Sequence, residues 1–207
     1  MKKLFVGCST VILILGVIMF IIFYAYKTYI VKDLNARNNQ VESIWVSFIY
    51  KENLKNKKIL NLLDSFEFEN SDSLRLHISK NLNINDTLKC NEEFVYQEYL
   101  MNKYFMKTFN IYLKRKELLM DNKDKFDEIL KDIEEQNIIL ENYDSNVRSF
   151  NSFIGTFPNF IIAKSNGFKM KKYFQIKFGE ENKDPKQVRK ETIEWIKQIE
   201  REQGVSE

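Results

Sequence analysis

Glycine and proline are scarce in this chain of 207 residues, with six glycines and two prolines. A β-sandwich needs many turns, so this scarcity argues against one and favours long, uninterrupted helices. Two cysteines, Cys8 and Cys90, give no disulfide framework. The length leaves room for one domain beyond a membrane segment, with enough residues to bury a core.

Histidine is limited to His77, which excludes di-iron bundle sites and the usual Cys/His zinc sites. The sequence also lacks a P-loop, a G-x-G-x-x-G motif and a G-x-S-x-G motif. The net charge of +3 comes from 32 basic and 29 acidic residues, so no global charge draws the chain to nucleic acid. We expect no metal, no cofactor, no catalytic residues and no small-molecule substrate.

Three features carry chemistry in principle, and each has a simpler interpretation. His77 could pair with a hydroxyl nucleophile, but single surface histidines are common. Cys90 is most simply a small residue near an expected helix start, although the helix dipole there could lower the pKa of its thiol. A third feature is a set of carboxylates that we expect on a solvated helix face, opposite an apolar stripe: Asp127, Glu128, Asp132, Glu134 and Glu135.

The run from Leu4 to Tyr26 contains no charged residue and is rich in Val, Ile, Leu and Phe. It is long enough to cross a hydrocarbon core of roughly 30 Å, and tyrosines follow at its end. A cleaved signal peptide would need small residues at the cleavage site, and a lipoprotein would need a longer apolar run before Cys8. We expect a permanent anchor at residues 4–26, after a short tail at 1–3.

The orientation of this anchor is open. Lys2 and Lys3 precede the run, and Lys27, Lys32 and Arg37 follow it. Positive residues favour the cytoplasmic side, and two against three decide little. Heavy use of Lys, Asn and Ile suggests a bacterial source, and we expect a single-pass protein of the inner membrane.

Apolar residues after the anchor recur at helical spacing, with Glu52 and Lys55 as interruptions: Leu34, Val41, Trp45, Phe48, Ile59, Leu62 and Phe66. The pattern predicts one helix from the membrane to about Phe66. Asn70 to Ser73 marks a break. Leu74 to Leu82 fits a helix or a strand, with a short helix favoured, and Asn83 to Thr87 fits a loop.

Two longer helices follow. The first is predicted over Asn91 to Met120, on a heptad formed by Tyr99, Met106, Leu113 and Met120. The second is predicted over about Lys123 to Phe157, and Gln136 is its only polar core position. Its core positions are Phe126, Ile129, Ile133, Leu140, Tyr143, Val147, Phe150, Ile154 and Phe157. Stripes of this kind are typical of an antiparallel bundle, which we place at residues 27–157.

Residues 158–183 change character, since Pro158 ends the helical pattern and aromatic residues follow without a period. We expect an irregular tail that packs on the bundle. Asp184-Pro185 is a helix-starting pair. It opens a C-terminal amphipathic helix at 184–207, with Val188, Thr192, Trp195, Ile196 and Ile199 on one face.

Within the tail, lysines alternate with aromatic residues in one unusual segment: Lys164, Phe168, Lys169, Lys171, Lys172, Tyr173 and Phe174. The favoured interpretation is that the aromatic rings pack on the bundle while the lysines stay in water. Contact with anionic lipid or a protein partner is second. Single-stranded nucleic acid is third, because the low charge and the anchor disfavour it.

The block from Tyr143 to Ile154, followed by Phe157-Pro158, Ile161-Ile162-Ala163, Gly167-Phe168-Lys169 and Tyr173-Phe174, resembles the signature of the LemA family. A weaker similarity covers Val41-Glu42, Trp45 and Asn61 to Leu63. Leu54 to Leu60 departs from the family pattern. Either Leu88 to Phe94 or Leu119 to Phe126 corresponds to the family's third helix, and the first choice makes much of Leu100 to Lys125 an insertion.

The resemblance implies a membrane-anchored helical bundle without assigned catalytic residues, in which the matched tail residues build the end of the bundle. The expected fold is therefore all-α. A transmembrane helix precedes an elongated antiparallel four-helix-type bundle, an irregular aromatic tail and the C-terminal helix. The expected function is a non-enzymatic adaptor or scaffold for an envelope protein, bound to the bilayer through its anchor. The alternative is a lipid-surface module that uses residues 164–174, and an uncharacterised enzyme ranks third.

Overall fold

The computed structural model describes residues 2–65, 68, 71–84 and 90–202, and the chain in these ranges is an all-α helical bundle without a strand. The helices are α1 (Lys2–Ser65), α2 (Ser71–Ile84), α3 (Glu92–Lys114), α4 (Lys123–Gly155), α5 (Asn159–Ser165) and α6 (Pro185–Glu202). A 3₁₀ helix at Lys116–Asn122 joins α3 to α4. The chain forms two compact units, Met1–Glu42 with Asn146–Lys171, and Ser43–Ser145 with Lys172–Glu207.

The first unit contains the apolar run. By length and composition α1 can cross a membrane, and its side chains from Leu13 to Phe23 are mostly exposed. Burial begins at Ile30 and Leu34, which lie 3 % and 0 % exposed. Arg37 donates to the hydroxyl of Ser149 at 2.8 Å, so the end of α4 packs beside α1 in this unit.

The second unit contains the four-helix core. Lys51 pairs with Glu135, and Lys58 pairs with Glu128, so α1 and α4 run antiparallel. The Phe109 and Phe126 rings lie 5.1 Å apart between α3 and α4. Within the two units, the apolar positions predicted for α4 up to Ile154 are all buried, and the predicted polar core residue Gln136 is buried with them.

The third predicted helix is wrong in its end and in its buried face. It ends at Lys114 rather than Met120. Met106 and Leu113 of the predicted heptad are only half-buried. Tyr99 of the predicted heptad is buried, together with Phe94, Glu98, Met101, Asn102, Phe105, Thr108 and Phe109. Three of these residues are polar, so the spacing of apolar residues in the sequence does not identify them as buried.

Smaller differences concern the segments between helices. The ambiguous segment is a helix, as favoured, and it continues to Ile84, so the predicted loop does not begin at Asn83. Asn70, Phe66 and residues 85–87 lie outside the described residues. The region after Pro158 is not irregular throughout, because α5 occupies Asn159–Ser165. Phe157 is 74 % exposed and does not belong to the core stripe of α4.

A buried polar layer crosses the second unit. Lys55 binds Glu52 at 2.7 Å on α1, and its ammonium lies 3.9 Å from the centroid of the Phe178 ring. Asn81 of α2 donates to the carboxylate of Glu98 on α3. All four polar side chains in these contacts are at most 2 % exposed. The two interruptions expected in the α1 stripe thus lie inside the core, where Lys55 offsets the charge of a carboxylate.

An extended segment, residues 172–178, lies on α4 in the second unit. Phe174, Ile176 and Phe178 are buried, so the buried positions of this segment alternate with a period of two. Asn137 accepts from the Phe178 N–H at 2.9 Å and donates to its carbonyl oxygen at 3.0 Å. Asp144, one heptad later, accepts from the Phe174 N–H at 2.8 Å. These side chains supply hydrogen bonds that an isolated extended chain lacks.

The other end of this segment is fixed by α3. Asn102 accepts from the Gly179 N–H at 2.8 Å and donates to the Glu180 carbonyl oxygen at 2.8 Å. Gly179 has a φ of +77°, and an added Cβ would lie 3.3 Å from Ile133. Only glycine adopts this conformation without strain, so Gly179 lets the chain turn away from the bundle.

Burial and the neighbouring Glu52 carboxylate hold the pKa of Glu98 well above its usual range. Because the folded-state pKa is raised, the stabilising effect of protonated Glu98 is complete below about pH 4.3, the pKa of glutamate in the unfolded chain. This effect is lost as pH rises from there towards the folded-state pKa. We expect Glu98→Gln to remove this loss. Relative to wild type, its free energy of unfolding should gain up to about 1.4 kcal/mol per pH unit over the titrating range.

Urea unfolding of the full chain in detergent, followed by circular dichroism between pH 5 and 8, measures this difference. Glu134→Gln, at an exposed carboxylate on α4, is the matched control and should follow the wild-type pH dependence. Parallel curves for wild type and Glu98→Gln would show that Glu98 is ionised in the folded protein.

Asn137→Ala should destabilise the protein, because the N–H and carbonyl of Phe178 lose their shared partner. The expected cost is about 1–3 kcal/mol in free energy of unfolding. Asn110→Ala, at an exposed position on α3, should change the free energy by less than about 0.5 kcal/mol. Equal effects of the two substitutions in urea unfolding would contradict the role given to Asn137.

Candidate functional site

The basic–aromatic segment predicted from the sequence is divided between the two units. Lys164, Phe168, Lys169 and Lys171 belong to the first unit, and 172–174 belong to the second. Each part is therefore a separate candidate surface with its own neighbours.

Phe174 lies in the aromatic core of the second unit. Its side chain is fully buried, and its ring centroid lies 5.2 Å from that of Phe48 and 6.0 Å from those of Trp45 and Phe178. Edge-to-face and tilted contacts of this kind stabilise a core. The Phe174 ring is consequently out of reach of a partner in the folded protein.

Two of the lysines form ion pairs. Lys171 binds Glu42 at 3.0 Å and lies over the Phe150 ring, 6.0 Å from its centroid. Lys172 binds Glu92, which also binds Arg189. The Lys172 pairing is the main cause that lowers the pKa of the Glu92 carboxyl. Such exposed pairs contribute little, so an anion on a partner can compete for either lysine.

Lys164 and Lys169 are exposed, and they flank the turn that ends α5. Gly167 has a φ of +77°, and the Phe168 N–H donates to the Ala163 carbonyl at 3.0 Å. This is the hydrogen bond of a Schellman cap, in which the left-handed residue is usually glycine. The cap leaves Phe168 half-buried, with the two ammonium groups in water.

A cleft of about 740 Å³ lies in the second unit between α3, the extended segment and α6. Its apolar walls include Tyr96, Tyr173 and Val188, and its rim carries charges of both signs. Lys186 lies over the Tyr96 ring, with its ammonium 3.5 Å from the centroid. The cleft has the size and the mixed apolar and polar walls of a ligand or peptide site.

The amphipathic helix α6 begins as the sequence predicts. Asp184 accepts from the Lys186 N–H at 2.8 Å, and Pro185 is the first helical residue. Every residue from Glu191 to Gln198 is exposed. Trp195 is 62 % exposed, so much of the predicted apolar face lies open rather than packed.

The sequence-derived candidates for chemistry have structural contacts. The His77 ring stacks on Tyr104 at 4.8 Å between centroids, and partial burial lowers its pKa. Among the carboxylates of α4, Glu128 and Asp132 bind Lys58, and Glu135 binds Lys51. These carboxylates flank the apolar stripe and join α4 to α1, so the expectation that all five lie opposite the stripe is wrong. Asp127 and Glu134 are not in these pairs.

The described residues contain no group of three or more His, Cys, Asp or Glu that could hold a metal ion. Cys90 precedes Asn91, whose side chain caps α3 by accepting from the Phe94 N–H at 2.8 Å. The alternative of a lowered thiol pKa is wrong, because burial raises the pKa of Cys90 to about 12. Desolvation of the thiolate outweighs the effect of the helix dipole at this position.

Sequence reasoning missed three parts of these surfaces. Glu98 was assigned no role, because a carboxylate breaks an apolar pattern. The cleft was not foreseen, because it depends on how α6 leaves the extended segment. Phe157 and Phe160 were not singled out as a surface, although the structure exposes both. The one available signal was the lack of charge from Ser149 to Ala163.

The raised pKa of Cys90 predicts slow alkylation in the folded protein. In a Cys8→Ser variant at pH 8, iodoacetamide should react with Cys90 about a thousand-fold more slowly than in the urea-unfolded chain. Ile111→Cys in a Cys8→Ser, Cys90→Ala background places a thiol at an exposed position of α3. This control should react at nearly the unfolded rate, whereas an equally fast Cys90 would overturn the prediction.

Comparison with known proteins locates the relationship in the second half of the chain. No curated protein and no solved structure matches the chain at a significant level. The model of the LemA family matches residues 113–189, which include α4, α5, the extended segment and the start of α6. Through this segment the chain is similar to the LemA family.

Proposed function

We propose that the protein is a membrane-tethered, non-enzymatic adaptor whose bundle presents α6 and the adjoining cleft to another protein of the bacterial envelope. The observation that carries the proposal is the exposed apolar face of α6. Trp195 and Ile196 of this face are 62 % and 44 % exposed. A contiguous apolar face on a charged helix is typical of a protein contact.

The tether in this proposal is the apolar part of α1. It lacks charge from Leu4 to Tyr26, and the same helix continues into the second unit. The proposed location is the inner membrane of a bacterium, crossed once and without cleavage, with the side of the soluble part undetermined.

A protein partner fits the chemistry of this surface. An amphipathic helix lays its apolar face into the groove of a partner, and tryptophan is enriched among the residues that dominate such binding. Lys190, Lys197 and Glu194 on the exposed helix provide charges for the rim of an interface. The proposal needs no cofactor, metal or small-molecule substrate, and it does not involve nucleic acid.

A lipid-surface module remains the second proposal. Lys164 and Lys169 are exposed and could contact anionic headgroups. Phe174 is buried, and both Lys171 and Lys172 form ion pairs, so fewer residues of the segment are available than a lipid-binding role for all of 164–174 requires. This reduction favours the adaptor.

Site-specific photocrosslinking in cells tests the adaptor. Benzoylphenylalanine at Ile196 should give one discrete protein adduct, whereas the same probe at the exposed Ile138 of α4 should give none. Trp195→Ser should reduce the adduct at position 196 by about tenfold or more, as expected for the loss of a dominant contact residue. The matched substitution Leu76→Ser, at an exposed residue of α2, should leave it unchanged.

Two results would contradict the adaptor. The first is no adduct at position 196 while the protein is well expressed. The second is an adduct whose yield is the same with and without Trp195.

A further inference from the structure

The turn between α4 and α5 lies beside the end of the apolar run. The Tyr26 hydroxyl donates to the side-chain oxygen of Asn159 at 3.0 Å. The Asn159 amide in turn donates to the Phe153 carbonyl at 3.2 Å, and its side chain is 6 % exposed. Tyr26 is the last residue of the uncharged run. Since terminal tyrosines of a span lie in the headgroup layer, this hydrogen bond places the turn at the same level.

No spacer separates the span from the packed part of the first unit. Ile30, one helical turn after Tyr26, is already buried. Four residues of helix rise by about 6 Å. The headgroup layer on each side of a bilayer is of similar thickness, roughly 5–8 Å. Packing of the first unit therefore begins within the layer of lipid headgroups.

The outer surface of this turn is apolar. Phe157, Phe160 and Ile161 are 74 %, 46 % and 51 % exposed, and the two rings lie 6.2 Å apart between centroids. The sequence has no charge from Ser149 to Ala163, and the next charged residue, Lys164, is exposed. Apolar side chains followed by a lysine match the depth profile of the boundary between acyl chains and headgroups.

We propose that the turn Phe157–Ile161 is a second membrane contact, inserted by Phe157, Phe160 and Ile161 into the bilayer that α1 crosses. The occupant of this exposed surface is lipid, because the surface is continuous with the apolar run through Tyr26 and Asn159. The inference rests on the anchoring part of the proposed function. It adds that the first unit is held to the membrane at two places, which restricts its rotation about α1.

Spin-label accessibility in proteoliposomes tests this contact with the full chain. Single cysteines replace Phe157, Phe160, Tyr24 or Ile138 in a Cys8→Ser, Cys90→Ala background. The vesicles contain phosphatidylethanolamine and phosphatidylglycerol, with a nickel chelate on both sides. Labels at 157 and 160 should collide with the chelate at least about five-fold less often than the label at Ile138, and with oxygen more often.

The control positions separate the two ways in which the inference can fail. A label at Tyr24 that is protected, with labels at 157 and 160 as accessible as Ile138, would overturn the second contact and leave the anchor intact. Accessibility of all four positions would overturn the anchor as well.

A second lipid composition separates apolar insertion from charge attraction. In neutral phosphatidylcholine vesicles, labels at 157 and 160 should stay protected, because the contact depends on apolar side chains. Loss of protection in neutral vesicles, or in a Lys164→Gln, Lys169→Gln double variant, would overturn insertion of the turn and favour headgroup binding by the lysines.

Discussion

Phe174 and Phe178 enter the core of the second unit on a segment that has no helical or sheet hydrogen bonds of its own. Side chains of α4 replace those bonds, because Asn137 and Asp144 bind the backbone of the segment directly. In the first unit, Asn151 makes the same kind of contact with the N–H and carbonyl of Lys171. Asn137, Asp144 and Asn151 are spaced seven residues apart on α4, beside its apolar stripe. Each successive heptad therefore supplies one side chain that hydrogen-bonds the backbone of the tail.

Much of the surface chemistry depends on these attachments. The extended segment forms one wall of the cleft, and α6 starts where the segment ends. Tyr173 faces the cleft while its neighbour Phe174 is buried, since adjacent side chains of an extended chain point in opposite directions. The residues matched to the LemA family include both α4 and the segment it holds. The matched region therefore contains a structural element that positions a surface.

The helices were predictable where apolar spacing decides them. The heptads of α4, the continuous helix α1 and the Asp184-Pro185 start of α6 follow from local sequence alone. The face of α3 was not predictable, because Glu98 and Asn102 are buried through partners on other elements. The same reason hid the role of Asn137 and Asp144, whose partners are backbone groups. The exposure of Lys164 and the burial of Phe174 agree with the favoured interpretation of this segment, whereas the ion pairs of Lys171 and Lys172 depend on partners on other elements.

Residue-resolved amide hydrogen exchange tests the central claim, that side chains of α4 hold the extended segment in place. The N–H groups of Lys171, Phe174 and Phe178 donate to Asn151, Asp144 and Asn137. We expect these three amides to exchange as slowly as buried amides of α4, and the neighbouring Lys172 and Tyr173 amides to exchange faster. Exchange of all five at the rate of an unstructured peptide would contradict the account.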